Sequence, residues 1–208
     1  MTSSPSSSAV SPRLYLASAS PRRRELLTQI GLAHTVLQVP APPGEDEPQL
    51  AGESAANYVC RTAREKAERG VQWLLSQQLP ELPILAADTT VILRGDVLGK
   101  PVDRAHAVAM LSRLSGTTHH VHTAVVVAHR GELLTEVSIS EVRFRVLSEE
   151  DVARYCDSDE PYGKAGAYGI QGLAATFIEH LSGSYTGVMG LPLFETATLL
   201  RRVGIALP

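Results

Sequence analysis

The chain has 208 residues, of which 44% are hydrophobic, and a formal net charge of −3 at pH 7. This length is enough to bury the core of one domain or of two lobes that share a sheet. The negative balance argues against a broad nucleic-acid-binding surface, and no apolar run approaches the roughly 18 residues of a membrane span.

The Ser/Pro-rich start at residues 1–12 has no apolar signal core. We therefore expect a disordered tail there, one domain over residues 13–208, and the cytoplasm as the compartment.

Hydrophobic periods of two and of 3.6 residues alternate along the rest of the chain. They predict strands at 13–18, 34–39, 84–87, 90–93, 119–128 and 137–147, and helices at 21–30, 53–78, 104–114, 149–157 and 192–203. Because strands and helices interleave without a strict βαβ repeat, we expect a mixed α/β sheet. Loops are predicted at 39–53, which is acidic and Pro-rich, and at 157–172, which is Gly-rich.

Three consecutive arginines, Arg22 to Arg24, open the first predicted helix behind Ser20 and Pro21. Ser at the N-cap and Pro at the first helical position are typical helix-start residues. Cations at a helix N-terminus add to the partial positive charge of its free N–H groups, so an anion at this point would relieve the repulsion. The segment predicts either a phosphate site or a solvated basic turn.

Asp88, Lys66 and Lys100 also interrupt their local patterns. Asp88 follows a buried-strand run, and a carboxylate there is costly unless it is paired or bound to metal; a capping aspartate is the alternative. Lys66 lies on the apolar side of the second helix, where it either snorkels or reaches an anion in a cleft. Lys100 is fixed by the following proline and could equally be an ordinary turn residue.

Two further motifs carry less information. His120 and His122 share one strand face, but no third ligand stands near them at a zinc-like spacing, so we expect polar strand residues. The segment KAGAYGIQG has glycines that allow close backbone approach to a ligand. Its Tyr168 could stack on a planar group and its Gln171 could bond to a base edge, or either could be a turn residue.

Taken together, the motifs resemble the Maf family of nucleoside triphosphate pyrophosphatases. The resemblance runs from residue 13 over nearly the whole chain and includes the segments LASASPRRRELL, YVCRTAREKA, AADTTVI, LGKP, AMLSRLSGTTHHVHT, KAGAYGIQG and GSYTGVMGLPL. The AYGIQG form resembles the branch that acts on dTTP and UTP.

The resemblance implies hydrolysis of a nucleoside triphosphate to the monophosphate and pyrophosphate with Mg²⁺ or Mn²⁺. It also implies an inosine-triphosphate-pyrophosphatase-like fold, which is an elongated mixed sheet with flanking helices and two lobes around a cleft, and it implies a homodimer. It further implies that the protein binds a nucleoside triphosphate as its substrate and binds neither nucleic acid nor a membrane. A nucleotide-binding regulator of cell division with little turnover is the alternative.

The resemblance assigns roles to individual residues of this chain. Asp88 matches the proton acceptor and a metal ligand, and Glu47 matches a second metal ligand. The residues that match substrate-binding positions are Ser18, Ser20, Arg22, Arg23, Lys66, Thr89, Lys100, Lys164 and Gln171, of which Arg22, Thr89 and Gln171 correspond to positions linked to substrate choice.

Two features depart from the family pattern. Gly163 stands where the family often has an aspartate, so Asp159 or Glu160 would have to compensate. The acidic loop reads GEDE, and its length leaves Glu45 and Asp46 as alternatives to Glu47.

Overall fold

A computed structural model describes residues 12–40 and 48–207 of the chain. The expected tail therefore lies outside the described residues except for Pro12, and so do Glu45, Asp46 and Glu47. The strands are β1 Leu14–Leu16, β2 His34–Val36, β3 Ile84–Leu93, β4 Asp96–Leu98, β5 Thr118–His129, β6 Glu132–Phe144 and β7 Ile178–Ser182. The helices are α1 Pro21–Gln29, α2 Ala55–Ser76, α3 Arg104–Leu114, α4 Glu149–Cys156, α5 Tyr185–Met189 and α6 Leu193–Arg202, and 3-10 turns cover Ala165–Ala167 and Leu173–Phe177.

The seven strands form one mixed sheet in the order β2-β1-β3-β5-β6-β7, with β4 also paired to β3. β1 runs parallel to β2 and to β3, and the remaining pairs are antiparallel. The prediction of a mixed α/β fold is confirmed. Among the helices of the described part, none is long and apolar enough to cross a membrane.

The structure corrects the sequence-based boundaries around Asp88. The two strands predicted at 84–87 and 90–93 are one continuous strand, β3, in which Asp88 pairs with Ala124 of β5. Asp88 therefore lies within a strand and not at its end. The prediction was wrong because a carboxylate interrupts the apolar pattern, whereas the backbone pairing continues through it.

Other boundaries also differ from those predicted. β4, β7 and α5 were not predicted, and β6 begins at Glu132, five positions before the predicted start at 137. The missed hairpin between β3 and β4 turns on Arg94 and Gly95, both with positive φ. Such a two-residue turn matches the twist of the strands, but arginine is an unusual residue for it.

One edge of β3 is left partly unpaired, and this creates an opening in the sheet. On that edge β1 pairs with β3 only as far as Leu85, whose carbonyl accepts from the Ala17 N–H. β4 begins to pair only at Val91. Within the described part of the chain, residues 86–90 have no strand partner on this side, and we call this stretch the edge gap. Side chains from both faces of β3 can reach a ligand there.

Helices cover the two faces of the sheet differently. α2 packs across one face, where Val59, Ala63 and Ala67 form a cluster with Ala86 of β3. The opposite face carries two separate apolar clusters, one formed with α1 and α6 and the other with α3 and α4. Thr89 and Thr123 lie between these two clusters, so the polar strip between the clusters adjoins the edge gap.

The glycines of the loop at 157–172 allow a matched test of packing against β3. Gly163 and Gly166 have φ of +71° and +68°, so an alanine would be similarly strained at both. A Cβ at Gly166 would lie 2.9 Å from Val91 Cγ1, whereas one at Gly163 would meet nothing within 4 Å. We expect Gly166→Ala to lower the free energy of unfolding by about 1–3 kcal/mol more than Gly163→Ala, measured by denaturant titration. Equal losses would show that the contact with Val91 is not tight.

Candidate active site

Asp88 is buried, with 6% of its surface exposed, and α2 supplies two hydrogen-bond donors to it. The Lys66 ammonium donates to Oδ1 over 2.6 Å, and the Thr62 hydroxyl donates to Oδ2 over 2.8 Å. Lys66 and Thr62 are four residues apart and so share one face of the helix. Of the two alternatives for Lys66, the structure therefore shows the one in which it reaches an anion in the cleft.

The pKa of the Asp88 carboxyl depends on two opposing effects. Burial raises this pKa, but the charge and hydrogen bond of Lys66, the charge of Arg23 and the hydrogen bond of Thr62 together hold it below its usual value. Asp88 is therefore a carboxylate at neutral pH. An ionised acid in an otherwise apolar strand is the kind of group that active sites contain.

A central cavity of about 470 Å³ opens beside Asp88 at the edge gap. Its volume lies within the range of about 300–1,000 Å³ typical of small-molecule sites. All the predicted site residues that the structure describes line it: Ser18, Ser20, Arg22, Arg23, Lys66, Asp88, Thr89, Lys100, Lys164 and Gln171. Residues separated by as many as 153 positions in the sequence are thus brought to one site.

The lining of the central cavity is strongly cationic. Its positively charged side chains are Arg22, Arg23, Lys66, Arg69, Lys100 and Lys164, and Asp88 is the one carboxylate among the described lining residues. Burial lowers the pKa of the Lys164 ammonium, and the neighbouring Arg22 charge lowers it further. A polyanion in the cavity would relieve this repulsion.

The first turn of α1 contributes two of these cations, and main-chain carbonyls hold both. Arg22 Nε donates to the carbonyl of Met189 over 3.2 Å, and Arg23 Nε donates to that of Gly190 over 2.7 Å. These carbonyls lie at the C-terminal end of α5, which carries partial negative charge. The GSYTGVMGLPL segment therefore positions the arginines of the first helix.

Ser20 occupies the N-cap position of α1, but its side chain makes no capping hydrogen bond, and the first turn contains no acidic residue. The predicted start of this helix is correct, whereas the capping role of the Ser20 hydroxyl is not observed. A helix start with neither a side-chain cap nor an acid in its first turn is suited to an anion at the cavity.

The guanidinium of Arg23 joins two hydroxyl groups that line the cavity. Its Nη1 donates to Ser18 Oγ over 3.1 Å, and its Nη2 donates to Thr89 Oγ1 over 3.3 Å. Ser18 Oγ also accepts from the Ser20 N–H, so its own hydrogen is left to be donated into the cavity. Ser18 is suited to a phosphate oxygen, which has no hydrogen to give.

The Gly-rich loop is fastened by Glu160. Its carboxylate accepts from the Tyr155 hydroxyl at 2.8 Å and from the backbone N–H groups of Leu173 and Ala174, at 2.7 and 3.1 Å. Its carbonyl accepts from Lys164 Nζ. Glu160 is thus committed to the loop, and neither it nor exposed Asp159 lines the cavity in place of the aspartate that Gly163 replaces.

Sequence reasoning missed Thr62 and Arg69. Both lie on α2, four residues before and three residues after Lys66, so the helical period could have placed them on the same face. Thr62 reaches Asp88, and Arg69 lines the cavity. Threonine and arginine in a helix carry no signal of their own, whereas a lysine on an apolar stripe does.

The donor set is compatible with Mg²⁺ or Mn²⁺ bound together with a phosphorylated ligand. No cluster of three His, Cys, Asp or Glu side chains is found in the described ranges that could hold an ion without help. Mg²⁺ is commonly bound through one or two carboxylates plus substrate phosphates, and Asp88 offers one such carboxylate at the cavity.

Comparisons with known proteins find relatives over nearly the whole chain. The model of the Maf family, described as "Maf-like protein", matches residues 13–203. A protein of Bordetella parapertussis named "dTTP/UTP pyrophosphatase" is 71% identical over 197 residues, which is 95% of both chains. One of the same name from Cupriavidus metallidurans is 54% identical over 196 residues, covering 92% of this chain and 97% of that protein.

Among solved structures, the Ham1 protein of Staphylococcus aureus aligns at 12% identity with a TM-score of 0.39. The alignment covers 63% of this chain and 71% of that one. A likeness this low carries no argument, and the description of the fold rests on the sheet and helices given above.

The wall of the cavity also generates a prediction about pH. Tyr168 lines the cavity, and its hydroxyl bonds to Nε2 of buried His119 over 2.8 Å. Burial lowers the pKa of His119 from 6.5 to about 4, and the charge of His120 adds to this effect. Between these values the unfolded chain binds a proton that the folded chain does not, so stability is full above pH 6.5 and falls toward pH 4.

We expect His119→Gln, which can still bond to Tyr168 but cannot titrate, to remove this part of the pH dependence. The wild-type protein should lose about 3 kcal/mol more folding free energy between pH 7 and pH 4 than the variant. Denaturant unfolding at each pH measures the difference. Parallel curves would show that His119 is not held neutral.

Proposed function

The chain belongs to the Maf family, and we propose that it is a metal-dependent nucleoside triphosphate pyrophosphatase that hydrolyses dTTP and UTP. The products are the nucleoside monophosphate and pyrophosphate. CTP and modified pyrimidine nucleotides are further candidate substrates. The relatives named "dTTP/UTP pyrophosphatase" at 71% and 54% identity support this proposal.

One observation carries the proposal. An ionised carboxylate, Asp88, lies in the same cavity as six cationic side chains and the open N-terminus of α1. Cations and helix N–H groups suit a polyphosphate, and a carboxylate among them would repel that ligand unless it took part in the chemistry. Binding alone would give no reason to bury an acid in this strand.

In the proposed reaction a water molecule attacks the α-phosphorus in line with the bond to the β-phosphate. Asp88 accepts a proton from this water as the new P–O bond forms. The bridging P–O bond breaks, and its electrons leave with pyrophosphate. Arg22, Arg23, Lys66 and Lys100 stabilise the charge on the phosphates as the bond breaks.

Lys66 has a second task in this scheme. By donating to Oδ1 it holds the Asp88 carboxyl in its ionised form and fixes its orientation, while Thr62 fixes Oδ2. Each carboxylate oxygen has a further lone pair, so Asp88 can still accept a proton. A divalent cation would be held by Asp88 and by one acid among residues 45–47, with Glu47 as the first candidate. The cation would neutralise phosphate charge and lower the pKa of the attacking water.

The base is proposed to be selected at Gln171, which lines the cavity. Its amide both donates and accepts, and this pattern suits the O4 and N3–H groups of uracil and thymine. A wrong base would leave these groups without partners, which lowers its rate.

The test of the proposal is pyrophosphate release across the eight common nucleoside triphosphates, with and without Mg²⁺ or Mn²⁺. We expect metal-dependent release that is greatest with dTTP or UTP. Asp88→Asn keeps the size of the side chain and removes its charge, so release should fall by at least about 10²-fold, as the loss of a general base predicts. Nucleotide binding, measured by calorimetry, should be largely retained.

The outcomes separate the alternatives. Activity of Asp88→Asn close to wild type would contradict the general-base role. Tight metal-dependent binding of nucleotides by wild-type protein without any release would favour the nucleotide-binding regulator, and Gly163→Asp would then be the first variant to examine.

A second prediction concerns the base. Gln171→Ala should relax the preference for dTTP and UTP more than it lowers turnover of any one nucleotide. Purine and cytosine nucleotides do not match the hydrogen bonds of this amide, so they lose nothing when it is removed. The ratio of kcat/KM for UTP to that for CTP measures this effect. An equal loss with all substrates would assign Gln171 to general binding instead.

A further inference from the structure

The Gly-rich loop carries two of the proposed substrate-binding residues, and different contacts hold its two arms. The first arm bears Lys164, which lies four residues after Glu160. The second arm bears Gln171 and leads to Leu173 and Ala174, where the chain enters a 3-10 turn. Lys164 and Gln171 both line the central cavity, so the position of each arm decides what the cavity offers to a nucleotide.

The carboxylate of Glu160 holds the second arm. Its Oε2 accepts from the Leu173 N–H at 2.7 Å, and its Oε1 accepts from the Ala174 N–H at 3.1 Å and from the Tyr155 hydroxyl at 2.8 Å. Tyr155 is a buried residue of α4, so one carboxylate joins the second arm to a packed helix. Gln171 lies only two residues before the first of these two backbone amides.

The glycine that follows Gln171 shows how closely the carboxylate fits the second arm. A Cβ at Gly172 would lie 2.1 Å from Oε2 of Glu160, far inside van der Waals contact. The φ of Gly172 is −107°, so no left-handed conformation requires glycine there. Its missing side chain instead makes room for the carboxylate. The Gly172 N–H also closes a turn around Gln171 by donating to the Gly169 carbonyl over 3.1 Å.

The first arm is held by contacts that do not involve this carboxylate. Lys164 Nζ donates to the main-chain carbonyl of Glu160, which any residue at that position would supply. The Gly166 N–H ties the same arm to the Gly99 carbonyl over 3.0 Å. A change confined to the Glu160 side chain should therefore loosen the arm of Gln171 and leave the arm of Lys164 in place.

We infer that Glu160 is a positioning residue for base selection, because its carboxylate places Gln171 against the base of the nucleotide without acting on the phosphate contact of Lys164. This inference deepens the proposed function and rests on it. An amide of the same size cannot replace the carboxylate. Glu160→Gln has only one acceptor oxygen, so its NH₂ group would face one of the two backbone N–H groups, and two donors repel each other.

The test compares nucleotides that differ at the base. Glu160→Gln should lower the ratio of kcat/KM for UTP to that for CTP by about 3- to 10-fold, as the loss of one hydrogen bond predicts. The inhibition constant of inorganic tripolyphosphate, which has no base, should stay at its wild-type value. Gly172→Ala should lower the same ratio, because its Cβ displaces the Glu160 carboxylate.

Asp151→Asn is the control for a loss of structure alone. The Asp151 carboxylate likewise accepts from a side chain, that of Arg145 over 2.8 Å, and from a backbone N–H, that of Ser148 over 3.0 Å. Asp151 does not belong to the cavity lining, so this variant should lower the free energy of unfolding and leave the UTP to CTP ratio unchanged.

A double variant tests whether Glu160 acts through Gln171. In a Gln171→Ala background, Glu160→Gln should change the ratio no further. An added effect in the double variant would overturn the inference, and so would an unchanged ratio in Glu160→Gln, a weaker binding of tripolyphosphate by that variant, or a lowered ratio in Asp151→Asn.

Two measurements remain decisive if the variants do not fold or the wild-type protein shows no turnover. In a crystal structure of the wild-type protein with α,β-imido-UTP, Gln171 should contact the base while Glu160 bonds to Leu173 and Ala174. A base contact by Gln171 with the Glu160 carboxylate turned away would overturn the inference. Affinities of α,β-imido-UTP and α,β-imido-CTP report the ratio without hydrolysis. Absent release by wild-type protein, with an affinity ratio that Glu160→Gln still lowers, would refute the proposed activity and support the inference.

Discussion

The buried ion pair between Lys66 and Asp88 is the constraint on which the rest of the site depends. A carboxylate within a central strand is expensive to bury, and removing its partner from such a pair typically costs several kcal/mol. Two apolar side chains could have packed α2 against β3 at least as well. The chain instead keeps a charge in its sheet, and the benefit of that charge is a carboxylate that stays ionised at the bottom of a cationic cavity.

The partly unpaired edge of β3 explains how this buried acid can meet a ligand. Side chains of adjacent strand residues point to opposite faces, so Asp88 faces α2 whereas Thr89 lies on the other face, beside Thr123 of β5. In a fully paired sheet no ligand could contact both. Because β1 ends early and β4 begins late, the cavity wraps around the exposed edge, and α1 and the Gly-rich loop close it from two sides.

Much of the site was accessible from the sequence because its residues violate local rules. Arg22, Lys66 and Asp88 each place a charge where the surrounding pattern predicts an uncharged or acidic residue, whereas Thr89 was identified only through the family resemblance. Thr62 was missed because it is unremarkable in its own helix, and its importance arises from Asp88, which lies 26 residues away in the sequence. The same rule misled the strand assignment, since the charge of Asp88 resembled a strand end until its partner on α2 was known.

Main-chain carbonyls, those of Met189 and Gly190, hold the two arginines. This affects which substitutions the site can tolerate during evolution. A hydrogen bond between two side chains is lost when either residue is substituted, but a main-chain carbonyl is present whatever amino acid occupies the position. A substitution at position 189 therefore keeps the carbonyl that holds Arg22, although the Met189 side chain also packs against two apolar clusters. The position that follows is less free, because Gly190 has φ of +117°, which other residues adopt only with strain. Conservation of the cationic site thus depends less on the side chains at 189 and 190 than on the backbone angle φ of residue 190.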